Sequence, residues 1–211
     1  CGSELLDPMM PHFIGDLLGW GAVGARTSPS QTHREMASGL AMPVGFKNGT
    51  DGDIDVAVNA AIAAASPHTF PGISRDGSPA QIRTRGNAEG HIILRGGTKG
   101  PNFARERVAR AADALGMPQP ARRIMVDCSH GNSNKDHRLQ GFVCREVLRQ
   151  VRTLGHPIMG LMLESNLLAG RQTWTPGVTP RRGVSITDAC IGWDETEDLL
   201  NEIAEAVRLG P

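Results

Sequence analysis

Neither sign of charge prevails in this 211-residue chain: Lys plus Arg and Asp plus Glu each number 22. A general binder of nucleic acid or of an anionic membrane carries a basic excess, so neither partner is expected. No apolar run approaches the roughly 18 residues of a membrane-spanning helix, and no charged start leads into an apolar signal core. The four cysteines, Cys1, Cys128, Cys144 and Cys190, lack CxxC spacing, which favours reduced thiols in a cytoplasmic protein over a disulfide scaffold. The phosphate-loop pattern GxxxxGK[ST], GxGxxG after a strand, GxSxG and HExxH are all missing. "LRGGTKGPN" (94–102) is Gly-rich but out of register for a phosphate loop, so kinase-type and serine-hydrolase chemistry have no support. With no repeat, low-complexity tract or linker, and 39% hydrophobic content, the chain is expected to build one core and one domain, 1–211.

What is present is an alternation. Apolar runs at "GAVGAR" (21–26), "PVGFKN" (43–48), "HIILRG" (91–96), "RIMVDCS" (123–129) and "PIMGLMLES" (157–165) read as strands. Between them, 53–65, 103–115 and 135–154 read as helices. Ile54, Val58 and Ile62 form one stripe, and Val143, Val147 and Val151 another. A last helix is expected over 195–209, capped by Asp194 and ended by Gly210. Near-continuous apolar strands imply a parallel sheet covered by helices, either doubly wound or closed as a (β/α)8 barrel. "HTFPGISRDGSPAQIRTRGN" (68–87), with its Asp-Gly turn at 76–77, reads as an inserted β-hairpin.

The strand ends carry the chemistry. Arg26, Lys47, Arg95, His130 and Glu164 each follow an apolar strand and precede a loop rich in Gly, Ser, Asn or Thr. In a parallel barrel all such ends share one face. Arg26, Lys47 and Arg95 form a cationic set with no acid beside them in sequence. Such a set suits a small phosphate- and carboxylate-bearing anion, each charge-assisted hydrogen bond contributing roughly 1.5–3 kcal/mol. His130 and Glu164, with Asp188 from "SITDAC" (185–190), offer an imidazole and two carboxylates, a ligand set for Zn, Mn or Fe. On spacing alone a lone histidine after a strand, as His130 is, is more often a hydrogen-bonded loop residue than a ligand. Asp127, inside its strand, reads as support for a neighbour rather than as a ligand. Cys128 is expected to face the helical layer, and His33 and His137 to lie on helix surfaces.

The longer motifs resemble a known family. "GARTSPSQTHREMASGLAMPVGFKNGTDG" (24–52), "HIILRGG" (91–97), "DCSHGNSNKDHR" (127–138), "LMLESNL" (161–167) and "SITDACIGWDET" (185–196) closely resemble type I 3-deoxy-D-arabino-heptulosonate-7-phosphate (DAHP) synthases, in family order over essentially the whole chain. The resemblance implies a cytoplasmic transferase of the shikimate pathway. It would condense phosphoenolpyruvate (PEP) with erythrose 4-phosphate and water, giving DAHP and phosphate. Residue by residue, it implies PEP binding by Glu4, Gly24, Ala25, Arg26, Lys47 and Arg95. It implies a divalent metal (Mn, Fe, Co or Zn) on His130, Glu164 and Asp188, with Lys47 and His130 as catalytic residues. An aromatic amino acid effector would bind near Pro11, His12, Ala41, Phe70, Gly72 and Ile82. Ala41 and Gly72 stand where phenylalanine-sensitive members carry serine, which weighs against phenylalanine and leaves the effector open.

The family's metal-binding cysteine on its first barrel strand and its KPRT-like segment do not occur here, and Cys1, just ahead of Glu4, does not match that cysteine. The resemblance therefore implies a (β/α)8 barrel lacking roughly its first two βα units, a partial domain that is inactive and poorly stable alone. The full-length protein would be a homo-oligomer. Two other readings compete. A 3-deoxyoctulosonate-8-phosphate-type or sialic-acid-type synthase would take another sugar, and activity with arabinose 5-phosphate instead of erythrose 4-phosphate would reveal the former. A noncatalytic truncated paralogue would bind a phosphorylated ligand without turnover.

Overall fold

Six parallel strands form one sheet: β1 (Gly2–Glu4), β2 (Trp20–Val23), β3 (Val44–Lys47), β6 (Gly90–Leu94), β7 (Ile124–Asp127) and β8 (Ile158–Met162). Two further strands, β4 (Thr69–Ile73) and β5 (Pro79–Arg83), make a separate antiparallel hairpin. The computed structural model describes residues 1–74, 76–116 and 123–210. Arg75, within the expected hairpin, lies outside the described residues. The helices are α1 (Pro11–Ile14), α2 (Gln31–Ser38), α3 (Asp55–Ala64), α4 (Arg105–Ala114), α5 (Gln140–Val151) and α6 (Trp193–Leu209). None of them is long and apolar enough to cross a membrane.

The large sheet runs β1-β2-β3-β6-β7-β8, each strand beside the next one in the chain apart from the inserted hairpin. A doubly wound sheet would reverse its order about an inner strand; this one never reverses. The result is a curled half-barrel with β1 and β8 as edges among the described residues.

Strand alternation decides which side chains meet. Val44 and Phe46 on β3, Ile92 and Leu94 on β6, and Ile124 and Val126 on β7 join the core under the helices. Their partners there include Ala57, Ala60, Ala61 and Ala64 of α3, Val108 and Ala111 of α4, and Val143 and Val147 of α5. Successive side chains point to opposite faces, so Lys47, Arg95 and Asp127, each one residue past a core position, belong to the other face. Cys128 returns to the core beside Cys144 of α5, as expected.

Several expected boundaries and faces are corrected. The first expected strand stops at Val23, and Arg26 falls in the exposed turn that follows, where Thr27 and Ser28 N–H donate to the Gly24 carbonyl. Helix α3 presents alanines to the sheet, and Ile62 of the supposed stripe is 52% exposed. Small side chains let this helix sit close to β6, where a Cβ on Gly90 would lie 3.5 Å from the Ala61 backbone. Helix α5 begins at Gln140, since Asn134 and Lys135 hold left-handed φ values of 52° and 62° that no helix propagates. Helix α6 begins earlier than expected, capped by Gly192, with Asp194 and Glu195 in its first turn, where acids favour the helix dipole. Its end at Gly210 is as expected. His33 is buried rather than on the surface: its ring bridges Ser30 Oγ at 2.8 Å and the Leu6 carbonyl at 3.0 Å. His137 sits half-exposed in a single 3-10 turn, not in the helix.

Candidate active site

The C-terminal edge of the parallel sheet gathers the expected cations and acids. Lys47 ends β3, Arg95 follows β6, His130 lies three residues past β7, and Glu164 two past β8. Asp188 reaches the same place from the loop before α6. That loop is held against the end of β8 by a parallel bridge, Ser165 to Ile191.

Asp127 is the centre of the cluster. It is fully buried, and its Oδ2 lies 3.0 Å from Lys47 Nζ and 2.9 Å from His130 Nδ1. These are charge contacts without hydrogen-bond alignment for Asp127 Oδ2 and His130 Nδ1. Asp127 Oδ1 accepts the Ser129 N–H at 2.9 Å. Burial pushes the carboxyl upward, yet His130 and Lys47 outweigh burial and hold it below the usual carboxylate range. The cationic set thus does have an acid: Asp127 pairs with Lys47, contrary to the expectation of unneutralised cations. Sequence order hid this because the two residues are 80 positions apart and meet only across the intervening strand β6.

With Nδ1 turned to Asp127, His130 aims Nε2 outward, 3.8 Å from Glu164 Oε1 and 3.5 Å from Asp188 Oδ2. The three candidate ligand atoms lie within 4.8 Å of one another, close enough to share one cation. A carboxylate behind the far nitrogen fixes the ring and raises the donor's basicity, the usual support for a metal-binding histidine. Burial raises the Glu164 pKa, with His130 opposing. A carboxylate that is costly to leave bare in this way gains from a cation beside it. The donor set fits a divalent metal.

Arg95 is half-buried, and burial followed by neighbouring Arg26 lowers its pKa, while Asp127 and Asp188 oppose. Guanidinium nevertheless keeps its charge at any ordinary pH. Arg26, Lys47, Arg95 and Asp127 therefore share one electrostatic environment. Glu4, at the end of β1, reaches over Gly24: a Cβ there would come within 2.4 Å of Glu4 Oε1, so a side chain at this position would push the Glu4 carboxylate aside. Ala25 follows on the same turn, half-buried.

Residues with no sequence signal hold these groups in place. The Gln140 side chain is fully buried and clasps the Glu164 backbone, donating to its carbonyl at 3.1 Å and accepting its N–H at 2.8 Å. Ser28 Oγ donates to the Lys47 carbonyl at 2.8 Å. Asn48, Asn102 and Asn132 interlock beneath the loops after β3, β6 and β7. Their one legible clue was an amide in each Gly-rich loop following a strand.

A second cavity of about 400 Å³ opens between the hairpin, α1 and α2. Pro11, His12, Phe70, Gly72 and Ile82 line it as expected, together with Glu35 and Leu40; Ala41 is not among its lining residues.

A sequence model described as the DAHP synthetase I family matches residues 1–201. The chain belongs to the DAHP synthetase I family. It is 52% identical over 202 residues to the Tyr-sensitive phospho-2-dehydro-3-deoxyheptonate aldolase of Escherichia coli K12, matching 95% of this chain and 56% of that protein. The Tyr-sensitive aldolase of Enterobacter agglomerans is 50% identical over 203 residues, covering 96% of this chain and 95% of the relative. A solved phospho-2-dehydro-3-deoxyheptonate aldolase from Francisella tularensis SCHU S4 superposes with a TM-score of 0.90 at 45% identity. That match spans 99% of this chain and 60% of the solved one. Apart from the Enterobacter protein, the chain spans about half the length of these relatives.

Proposed function

We propose that this DAHP synthetase I family chain carries the PEP-binding and metal-ligating part of a 3-deoxy-7-phosphoheptulonate synthase, condensing PEP with erythrose 4-phosphate in aromatic amino acid biosynthesis. The observation that carries the reading is the shared Asp127 carboxylate. It ties the lysine of the cationic set to the histidine of the metal set, 3.0 Å and 2.9 Å away. Arg26, Lys47 and Arg95 would hold the PEP phosphate and carboxylate, with Glu4 and the Gly24–Ala25 backbone closing the pocket. His130, Glu164 and Asp188 would hold a divalent metal, whose contribution when bound is Lewis acidity toward the aldehyde oxygen. Lys47 sits where it can balance charge on the departing phosphate, and the fixed cations stabilise that charge as it develops. His130, held by Asp127, keeps Nε2 directed at the cation.

The six strands are read as six of the eight in a (β/α)8 barrel forming one catalytic domain, 1–211. Six strands with two free edges do not close a barrel. The reading therefore includes ligand binding without turnover by this chain alone, a homo-oligomer for the full-length enzyme, and a cytoplasmic location. The cavity at Pro11, His12, Phe70, Gly72 and Ile82 is assigned to an aromatic amino acid effector. Its apolar walls with a few polar groups suit such a ligand, and both Tyr-sensitive names above favour tyrosine.

The test is calorimetric titration of the purified chain, loaded with Mn2+, with PEP. Binding weakened about tenfold or more by Arg95→Ala is expected, with no phosphate release on adding erythrose 4-phosphate. Absence of PEP binding, or binding indifferent to Arg95, would overturn the site. Turnover by the chain alone would overturn its incompleteness.

A further inference from the structure

Three buried amides lie beneath the site and touch none of the residues assigned to substrate or metal through those residues' side chains. Asn48 is fully buried immediately after Lys47. Its Nδ2 donates to the carbonyls of Gly49 at 2.8 Å and Gly96 at 3.0 Å. Its Oδ1 accepts the Arg95 N–H at 2.8 Å and Asn102 Nδ2 at 3.1 Å. All four hydrogen-bonding positions of that amide are thereby filled. Asn102 Oδ1 accepts the Gly96 N–H at 2.7 Å, and its own N–H donates to Asn132 Oδ1 at 2.8 Å. Asn132 Nδ2 donates to the carbonyls of Leu94 at 3.0 Å and Asp127 at 2.8 Å.

The Arg95 peptide is clamped on both sides: its N–H goes to Asn48, and its carbonyl accepts the Gly131 and Asn132 N–H groups at 2.9 and 3.2 Å. The chain has no room to shift there. A Cβ on Gly131 would lie 2.3 Å from the Gly97 nitrogen, so the two loops cross backbone to backbone. Loops after three different strands are thus joined through side-chain amides rather than through a sheet ladder. The residues they carry are Lys47, Arg95 and His130, one from each loop. Ordinary loop packing does not need three hydrogen-bonded carboxamides in a row, and burying them is costly unless their polar atoms are paired.

We propose that Asn48, Asn102 and Asn132 act as one positioning unit that sets the spacing of Arg95 against Lys47 and His130. Asn102 is the keystone, because it bonds to both of the other amides yet contacts no ligand group. The inference rests on the PEP reading above for its ligand, and the test separates the two.

Asn102→Ala removes the acceptor for Gly96 and the donor to Asn48, freeing the Arg95 loop while leaving the residues of the metal set bonded as before. The expected result on the Mn2+-loaded chain is PEP affinity lower by about tenfold, with Mn2+ affinity within about twofold of wild type. Asn102→Asp keeps an acceptor for Gly96 but sets a carboxylate oxygen against Asn48 Oδ1 where an N–H donor stood. It should weaken PEP binding at least as far as the alanine variant does, and it serves as the readout if Asn102→Ala does not fold. A variant that folds less stably yet binds PEP as wild type does would reduce the amides to packing and overturn the proposal. Should wild type itself fail to bind PEP, the functional reading fails alone. Hydrogen exchange at the Arg95 amide, which Asn48 holds, then decides the network: protection lower by about tenfold in Asn102→Ala or Asn102→Asp supports it, and unchanged protection overturns it.

Discussion

Replacing Asp127 by asparagine removes a charge and almost no volume, which makes it the cleanest perturbation of the cluster. At 3.0 Å from Lys47 Nζ, with an effective dielectric constant near 20, the ion pair is worth about 5 kcal/mol of gross attraction. Desolvation of a fully buried carboxylate offsets much of that. What remains after the change is a Lys47 ammonium, only 14% exposed, without its close partner and with Glu164 as a more distant acid. Breaking a buried pair from one side costs about 3–5 kcal/mol, because the surviving charge stays buried. Urea denaturation at neutral pH should therefore place Asp127→Asn about 3 kcal/mol below wild type. His130 loses its carboxylate support as well, and Mn2+ affinity should fall about 10- to 100-fold. Adding Lys47→Met to Asp127→Asn removes the stranded cation and should recover most of the lost stability, though not the metal affinity. The sign with pH follows from the lowered Asp127 pKa. Its stabilisation is present above the ordinary carboxylate range and disappears as pH falls through the lower native value. A single variant less than about 1 kcal/mol below wild type, or a double variant no better than the single, would refute the reasoning.

Two further outcomes concern buried polar groups away from that carboxylate. His91 is fully buried, its Nε2 accepting the Trp20 Nε1–H at 3.1 Å, and burial lowers its pKa from 6.5 to about 4. Below pH 6.5 the unfolded chain binds a proton that the native ring refuses. His91 should therefore cost about 3 kcal/mol of stability by pH 4, a dependence that His91→Gln removes; denaturation at pH 7 and pH 4.5, with Trp20 fluorescence as reporter, checks it. Gln140→Leu leaves the Glu164 N–H without its partner and the Glu164 carbonyl with only the Ile191 N–H. It should lose about 1–3 kcal/mol in thermal denaturation and bind Mn2+ more weakly; unchanged Mn2+ affinity would remove Gln140 from the support of the site.

Much of this was legible in the chain before folding. Apolar runs ending in Arg, Lys, His or Glu marked the strand ends, and strand-then-helix order implied a common edge for them. What the runs did not carry was the pairing across strands. Asp127 read as support for a neighbour, and its alternation with Val126 and Cys128 already turned it away from the helices, but nothing in "MVDCS" said that the neighbours were Lys47 and His130. Of the Ile54–Val58–Ile62 stripe, Val58 and Ile54 do meet the core and only Ile62 misled, because a helix lying close to a sheet turns its alanines to it. His33 looked like a surface histidine until the chain brought the Leu6 carbonyl to its ring.

Periodicity and loop composition are local properties, so sequence alone determined five of the six parallel strands, four of the helices, the hairpin and the list of chemical groups at one edge. Distances between residues far apart in the chain depend on strand order, curl and loop crossing. Only the tertiary structure could decide that one buried oxygen serves both Lys47 and His130, and that three amides lock the loops bearing Lys47, Arg95 and His130.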